Sequence, residues 1–254
     1  MKLVKPFCAC LSLFLAFAVI AAEPATSPAS RPASQPSTRP RTIIKVSGPD
    51  GAQAADTITI LLDITDAPDL KDWALSAANY AIKWHPEITK SLPSEKFTPA
   101  HEVTLVFKQT RGVPAYTSGR AITISIAWIK AHPDDLGMVA HELTHVIQHY
   151  TGRNNPGWLV EGIADYIRYY VVEPGSRQGR FNAEKASYKR GYQPAAGLLN
   201  WLEARKPGLV VKLNAAMREG TYTPELFNEL AGGDPDELWE QFKTSLKETP
   251  EKAK

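Results

Sequence analysis

His141-Glu142-Leu143-Thr144-His145 lies inside an apolar-periodic segment that runs from about Leu136 to Tyr150. If this segment is helical, His141 and His145 lie one turn apart on one face, with Cβ atoms about 5–6 Å from each other. At that separation two imidazoles can bind one metal ion. Glu142 lies beside them, where it can polarise a water held by the metal without ligating the ion itself. The motif therefore predicts two metal ligands and a base.

A helical wheel separates two faces of this segment. His141, Glu142 and His145 fall on one face, opposite an apolar face that is expected to pack on the core. An ordinary amphipathic helix with a solvated polar face would give the same pattern, and H-E-x-x-H alone produces false positives. A third ligand is needed to decide between them. The apolar face consists of Leu136, Val139, Ala140, Leu143, Ile147 and Tyr150.

The search for a third ligand leaves Glu161. His149 lies about 12 Å along the helix axis from His141, too far to share one ion, and is expected on the partly solvated surface. The longer motif H-E-x-x-H-x-x-G-x-x-H is excluded, because Gln148 and Thr151 stand at its glycine and third histidine positions. Glu161 belongs to a second amphipathic segment further along the chain.

The segment around Glu161 is predicted to form a helix beside the first. Gly152 suits a helix C-cap, and Asn154-Asn155-Pro156-Gly157 is a turn signal after which a second helix can start. His145 then lies just over a turn before the first helix ends, and Glu161 lies about one turn after the next begins. Two histidines and a glutamate form the ligand set of a catalytic zinc site, because the fourth position is left for water.

Asp165 lies one turn beyond Glu161 on the same polar face. We expect it to accept a hydrogen bond from the non-ligating nitrogen of a zinc-bound histidine and to fix the tautomer of that ring. The alternative is a surface ion pair with Arg168, three residues further along the helix.

Four stretches together resemble a known family, over about residues 57–246. The stretches are H-E-L-T-H-V-I-Q at 141–148, W-L-V-E-G-I-A-D-Y-I-R at 158–168, Y-K-R-G-Y at 188–192 and L-W-E-Q-F at 238–242. The H-E-x-x-H motif, the Glu161–Asp165 pair and the order of the two helices resemble the thermolysin-type gluzincins. The four stretches more closely resemble the plant basic secretory protein family, which is regarded as zinc metallopeptidases.

The resemblance implies an activity and a site. It implies one Zn²⁺ per chain, a peptide or protein substrate, Glu142 as general base, and His141, His145 and Glu161 as metal ligands. Peptide hydrolysis also needs a donor for the oxyanion, which a Tyr or His from the second half of such domains often supplies. Tyr188 and Tyr192, one turn apart if helical, are the candidates, and the alternative is a tyrosine ring packed between helices.

The N-terminus is typical of an export signal. Residues 1–22 combine a basic start with an apolar run, which predicts a periplasmic or extracellular protein; a retained N-terminal anchor is the alternative. Cys8 and Cys10 leave with this signal, so the mature chain can form no disulfide. No later stretch is apolar enough to span a bilayer, which predicts no membrane association after cleavage.

Charge gives no indication of nucleic-acid binding. The chain has 29 Lys and Arg against 27 Asp and Glu. Removal of residues 1–22 takes away two lysines and no acidic residue, which leaves 27 of each sign and a formal net charge of zero. The "basic" of the family name therefore does not apply to this chain.

The rest of the chain predicts one α+β domain at residues 42–248, between a Pro/Ser/Ala-rich disordered linker at 23–41 and a polar tail at 249–254. Strands are predicted at 57–64, 103–107 and 120–128, with a helix through Trp73 and Trp84 that His85-Pro86 stops. Strand 120–128 is expected either at the cleft rim, where it could hold an extended peptide, or inside the sheet.

Beyond Val172 the pattern is helical. Helices are predicted from Tyr188 to about Arg205, with an early interruption by Gly191 and Pro194, at 207–217, from Thr223-Pro224 to Gly232-Gly233, and from Asp234 to Leu246. The fold class is therefore a zincin-like α+β metallopeptidase with a small N-terminal mixed sheet, an active-site helix and a helical C-terminal half.

Three functions fit these features. The first is an exported zinc-dependent metallopeptidase that uses Glu142 as general base. The second is a zinc-stabilised, non-catalytic binding or defence module, for which that carboxylate would be unnecessary. The third is a zinc hydrolase of a non-peptide amide, such as a cell-wall cross-link. The sequence gives no indication of the oligomeric state.

Overall fold

The computed structural model describes residues 40–48, 58–95, 97–152, 154–176 and 181–248. The predicted signal peptide (1–22), nearly all of the linker (23–41) and the tail (249–254) lie outside these residues, so those limits stay predictions. Within the described part of the chain, no helix combines the length and the apolar character that a membrane span requires.

The first half of the domain is built on a five-stranded mixed sheet with the strand order β1-β2-β3-β5-β4. Strands β2, β3 and β5 are parallel to one another, whereas β1 and β4 pair antiparallel at the two edges. Ile60, Leu105 and Ile124 in the three central strands are fully buried. The strands are β1 (Ile43–Ser47), β2 (Thr59–Asp63), β3 (Glu102–Lys108), β4 (Ala115–Ser118) and β5 (Ala121–Ser125).

Helix α1 (Lys71–Ser91) continues past the point at which the sequence predicted its end. Pro86 lacks an N–H and cannot donate to the preceding turn. However, His85 and Ile88 on either side are buried, and their packing holds the helix together as far as Ser91. The prediction that His85-Pro86 stops the helix was therefore wrong.

The strand predicted at 120–128 ends at Ser125. The Ser125 side chain accepts a hydrogen bond from Trp128 N and caps helix α2 (Ile126–Ala131), so the second half of that alternating pattern is helical. Because β5 pairs with β3 and β4, it is an interior strand, and the edge on this side belongs to β4.

The two helices of the motif region lie where the sequence predicts them. Helix α3 (Gly137–Gln148) ends at His149, which is exposed and adopts the left-handed conformation with φ 45°. The predicted end at Gly152 was therefore three residues too late. Helix α4 (Gly157–Tyr166) follows the predicted turn and continues as a π-helical turn at Ile167–Val172.

The second half is helical, and the predicted α+β class with an N-terminal mixed sheet is confirmed. Thr223 caps one helix through Leu226 N, as its sequence predicts. The predicted helix from Tyr188 is split into a short 3₁₀ turn and a longer helix. The elements are the turn Tyr188–Arg190, α5 (Tyr192–Glu203), α6 (Leu209–Glu219), α7 (Pro224–Ala231) and α8 (Pro235–Glu248).

Close packing of α4 on α5 fixes the helix that carries Glu161. A Cβ atom added at Gly162 would lie 2.8 Å from Ala195 Cβ and 3.3 Å from Leu199 Cδ1. Only glycine lets the two helix backbones approach this closely, and Gly162 directly follows the predicted ligand.

Gly162→Ala is expected to lower the free energy of unfolding by about 1–3 kcal/mol, because the new methyl group overpacks the α4–α5 interface. Gly157→Ala is the matched control in the same helix, since nothing lies within 4 Å of its added Cβ. The control should leave stability unchanged or raise it by up to about 1 kcal/mol. Denaturant unfolding measures both, and equal stability of the two variants would contradict the close-packing account.

Candidate active site

Three side chains converge where α3 meets α4. His141 Nε2 lies 3.1 Å from His145 Nε2, and Glu161 Oε2 lies 3.2 Å and 3.4 Å from these two atoms. In a tetrahedral site with metal–ligand bonds of about 2.0–2.1 Å, neighbouring ligand atoms are about 3.3 Å apart. The three atoms therefore form one triangular face of a tetrahedron, and a divalent cation fits them.

The second ring nitrogen of each histidine already has a partner. His141 Nδ1 lies 2.6 Å from Asp165 Oδ1, where the sequence expected Asp165, and His145 Nδ1 lies 2.7 Å from Gln148 Oε1. Both partners are acceptors, so they assign the ring proton to Nδ1. With Nδ1 protonated, each Nε2 presents its lone pair to the shared point once any second ring proton has left, as metal ligation requires.

Gln148 was not among the sequence-predicted site residues. In the sequence it ends the stretch 141–148 and stands where the longer H-E-x-x-H-x-x-G-x-x-H motif has glycine. Its spacing of three residues from His145 on one helix face was the available signal. That spacing alone does not single out a glutamine, because its partner depends on how α3 is packed.

Hydrogen bonds between the histidines and the carboxylates stabilise the charged forms of these side chains. Burial opposes a charged imidazole, but hydrogen bonds to Asp165 and Glu161 prevail and raise the pKa of His141 to about 10. Burial also opposes the charge on Glu161, yet hydrogen bonds from His141 and His145 lower its pKa to about 2. A pocket that keeps the Glu161 carboxylate ionised and favours positive charge on an imidazole is suited to a bound cation.

Glu142 is buried next to the three ligand groups but is not one of them. The Thr117 hydroxyl lies 2.7 Å from Glu142 Oε2 and 3.0 Å from the Glu142 backbone oxygen, so this hydroxyl donates to the carboxylate or the carbonyl. The contact orients the carboxylate from outside α3. Sequence reasoning missed Thr117 because it predicted no strand at β4.

The open edge of the sheet lies beside this carboxylate. Ser125 N donates to Pro114 O across the β4–β5 pair at 2.8 Å. Hydrogen-bonded and non-hydrogen-bonded pairs alternate along antiparallel strands, so the backbone N–H and C=O of Thr117 turn away from β5. Of the two positions expected for strand 120–128, the interior one is observed, and the edge belongs to β4, whose outer side carries the residue that holds Glu142.

The two candidate tyrosines lie in different environments. Tyr192 lines the cleft, is 53% exposed and stacks over His141 with ring centroids 6.0 Å apart. Tyr188 is 4% exposed, donates its hydroxyl to Asp236 Oδ1 at 2.8 Å and meets the Trp158 ring edge-on. Tyr188 therefore matches the alternative of a tyrosine ring packed between helices, and it does not line the cleft.

Gly191 explains why the tyrosines diverge. It adopts φ 74° between them, so they do not share one helical face. A Cβ atom at Gly191 would lie 2.8 Å from Glu161 Cβ. The chain therefore passes directly against the predicted ligand before Tyr192, which itself adopts φ 54° at the start of α5.

The three ligand groups, Glu142, Thr117 and Tyr192 border one cleft of about 940 Å³, within the size range of ligand-binding sites. β4 and its preceding turn form one wall, and α4 and the start of α5 form the other. The other lining side chains are mainly apolar or aromatic and include Val113, Pro114, Tyr116, Met138, Val160, Phe181 and Pro194. The cleft therefore surrounds the cation-binding point with groups suited to an extended organic ligand.

Cation binding is expected to release about one proton per ion near neutral pH. The pKa of His141 is raised from its ordinary value of about 6.5 to about 10, so in the metal-free protein the imidazole carries a second proton, on Nε2, at neutral pH. That proton must leave when Nε2 binds a cation. Apparent affinity should therefore fall about tenfold per unit as pH drops from about 9 to 7. Calorimetric titration with Zn²⁺ or Co²⁺ in buffers of different ionisation enthalpy measures this; a pH-independent affinity over that range would contradict the assignment.

Comparison with known proteins agrees with the geometry. A search of curated proteins finds no significant match. The model of the family described as "Peptidase of plants and bacteria", BSP, matches residues 60–242, which include α3, α4 and β4. The match covers more than half of the 254 residues, confirms the predicted resemblance and supports a peptidase role. The chain therefore belongs to the BSP family, the peptidases of plants and bacteria.

Proposed function

We propose that this protein is an exported zinc-dependent metallopeptidase. The observation that carries the proposal is the tetrahedral face formed by the Nε2 atoms of His141 and His145 and Oε2 of Glu161. Two histidines and one glutamate leave a fourth position for water, and this donor set favours zinc. Export rests on the basic and apolar character of residues 1–22.

Glu142 is the proposed general base. When bound, zinc would acidify a water molecule and polarise the carbonyl of the scissile bond. Glu142 accepts the proton of the attacking water and passes it to the leaving amine. The Thr117 hydroxyl at 2.7 Å holds Oε2 of that carboxylate in place. This arrangement argues against the non-catalytic binding module, which would not need a buried, oriented carboxylate beside the ligands.

Tyr192 is the proposed donor to the oxyanion. Burial, followed by the carboxylates of Glu161, Asp165 and Glu142, raises the pKa of its hydroxyl, which therefore stays protonated and able to donate at neutral pH. Its ring stacks over a ligand histidine at the mouth of the cleft. A hydrogen bond aimed at the developing negative charge lowers the barrier more than it stabilises the substrate.

The substrate is proposed to lie along β4 as an added strand. The backbone groups of Thr117 face the open edge, and its side chain contacts the base. Main-chain hydrogen bonds to this edge would align the peptide without selecting its sequence. A peptide backbone supplies the repeated donors and acceptors that such an edge needs, whereas an isolated non-peptide amide does not.

Incubation of the purified protein with a mixed peptide library should give cleavage that a chelator abolishes and Zn²⁺ restores. Glu142→Gln should lower kcat at least about 100-fold while zinc content stays unchanged, because the amide cannot take up a proton. Mass spectrometry of the products and elemental analysis of the variant provide the measurements. Intact peptides in the presence of stoichiometric zinc would instead favour the binding module or the non-peptide amidase.

Tyr192→Phe should lower kcat about 10²–10³-fold with little change in KM, because the lost hydrogen bond forms mainly in the transition state. Tyr188→Phe is the matched control. It removes the hydroxyl bonded to Asp236, costs about 1 kcal/mol of stability and leaves kcat unchanged. If both variants retain wild-type kcat, Tyr192 has no role in the reaction.

A further inference from the structure

Gln148 is a buried polar side chain that the proposed reaction does not use. It occupies the last position of α3 and is 1% exposed. A buried amide is costly unless its donor and its acceptor both find partners. Here both partners belong to the elements that carry the metal ligands.

The two ends of this amide contact different helices. Its Oε1 atom lies 2.7 Å from Nδ1 of His145, and its Nε2 atom donates to Val160 O at 3.0 Å. Val160 directly precedes Glu161 in α4. One side chain therefore contacts a ligand on α3 and the backbone beside a ligand on α4.

The backbone of this residue is fixed by a third helix. Arg218 on α6 donates from Nε to Gln148 O at 3.1 Å and from Nη2 to Ile147 O at 2.9 Å. The guanidinium also lies over the Phe97 ring at 3.8 Å from its centroid. Carbonyl groups at a helix C-terminus lack partners within the helix, so the arginine caps α3 and holds its last turn.

Glutamine meets a requirement that neither a carboxylate nor an apolar residue meets. The position needs an acceptor toward His145 and a donor toward Val160, and an amide supplies both. His141 has a carboxylate partner in Asp165, which together with Glu142 and Glu161 already places three acidic groups at the site. A neutral partner for His145 orients the second ring without adding a fourth charge.

We propose that Gln148 is a positioning residue: its amide sets the spacing between His145 and Glu161 at which both can bind one cation. The proposal rests on the proposed metal centre, and it concerns the metal-free geometry of this chain. Removal of the amide leaves the His145 ring free to rotate and α4 without its direct tie to the last turn of α3.

The test is a Co²⁺ titration of the metal-stripped full chain, followed by visible absorption. Gln148→Met keeps the length and removes both polar contacts, whereas Gln148→Asn keeps an amide that is one methylene too short to span both partners. Each variant should bind Co²⁺ about 10–100-fold more weakly and show an altered absorption spectrum, as expected when a residue that orients a metal ligand is lost. If Gln148→Met does not fold, the Co²⁺ affinity and spectrum of Gln148→Asn alone test the proposal.

Two controls separate positioning from general stability. Thr144→Val removes a buried hydrogen bond to Ala140 O within α3, and Asn155→Ala removes a side-chain amide that donates to Met217 O beside the α3–α4 connection. Both should retain wild-type Co²⁺ affinity and spectrum, even if their denaturant midpoints fall.

The outcomes are distinct. Wild-type Co²⁺ affinity in both Gln148 variants, or an equal loss of affinity in the two controls, would overturn the role of Gln148. Failure of the wild-type chain to bind Co²⁺ would overturn the metal centre itself. Absence of peptide cleavage with normal Co²⁺ binding would overturn only the proposed peptidase reaction.

Discussion

The packing of α3 against α4 is the constraint on which the site depends. It brings two imidazole nitrogens from one helix to within 3.2 Å and 3.4 Å of a carboxylate oxygen from the other. An error of one residue in helix register would turn Glu161 away by about 100° and destroy the convergence. Two close approaches restrict that register: α4 to α5 at Gly162, and Gly191 to Glu161.

Electrostatics explains why these three side chains can converge in a partly buried position. Asp165 and Glu161 flank His141, and their hydrogen bonds overcome the unfavourable effect of burial on its charge. Burying carboxylates without compensating positive charge would cost several kcal/mol per group. A divalent cation would supply that charge, so the polar groups of the cleft are arranged for a cation as much as for a substrate.

The sheet and the helical half contribute different parts of the site. The edge strand β4 orients Glu142 through Thr117 and offers backbone groups along the cleft. The second half contributes Tyr192 at the opposite wall, and through Arg218 it holds the end of α3. Because the ligand helices lie between these two parts, each half of the domain constrains the site from one side.

The sequence alone determined which residues share a face. Helical periodicity placed His141 and His145 one turn apart, and the turn at 154–157 placed Glu161 on the next helix, so the candidate ligand set and the α+β class were predictable. Only the tertiary structure decided the contacts of Thr117 with Glu142, of Gln148 with His145 and of Tyr192 with His141. It also decided the interior position of β5 and the continuation of α1 past Pro86. Spacing along the chain encodes local geometry, whereas partners far apart in sequence are selected by packing, which no local pattern records.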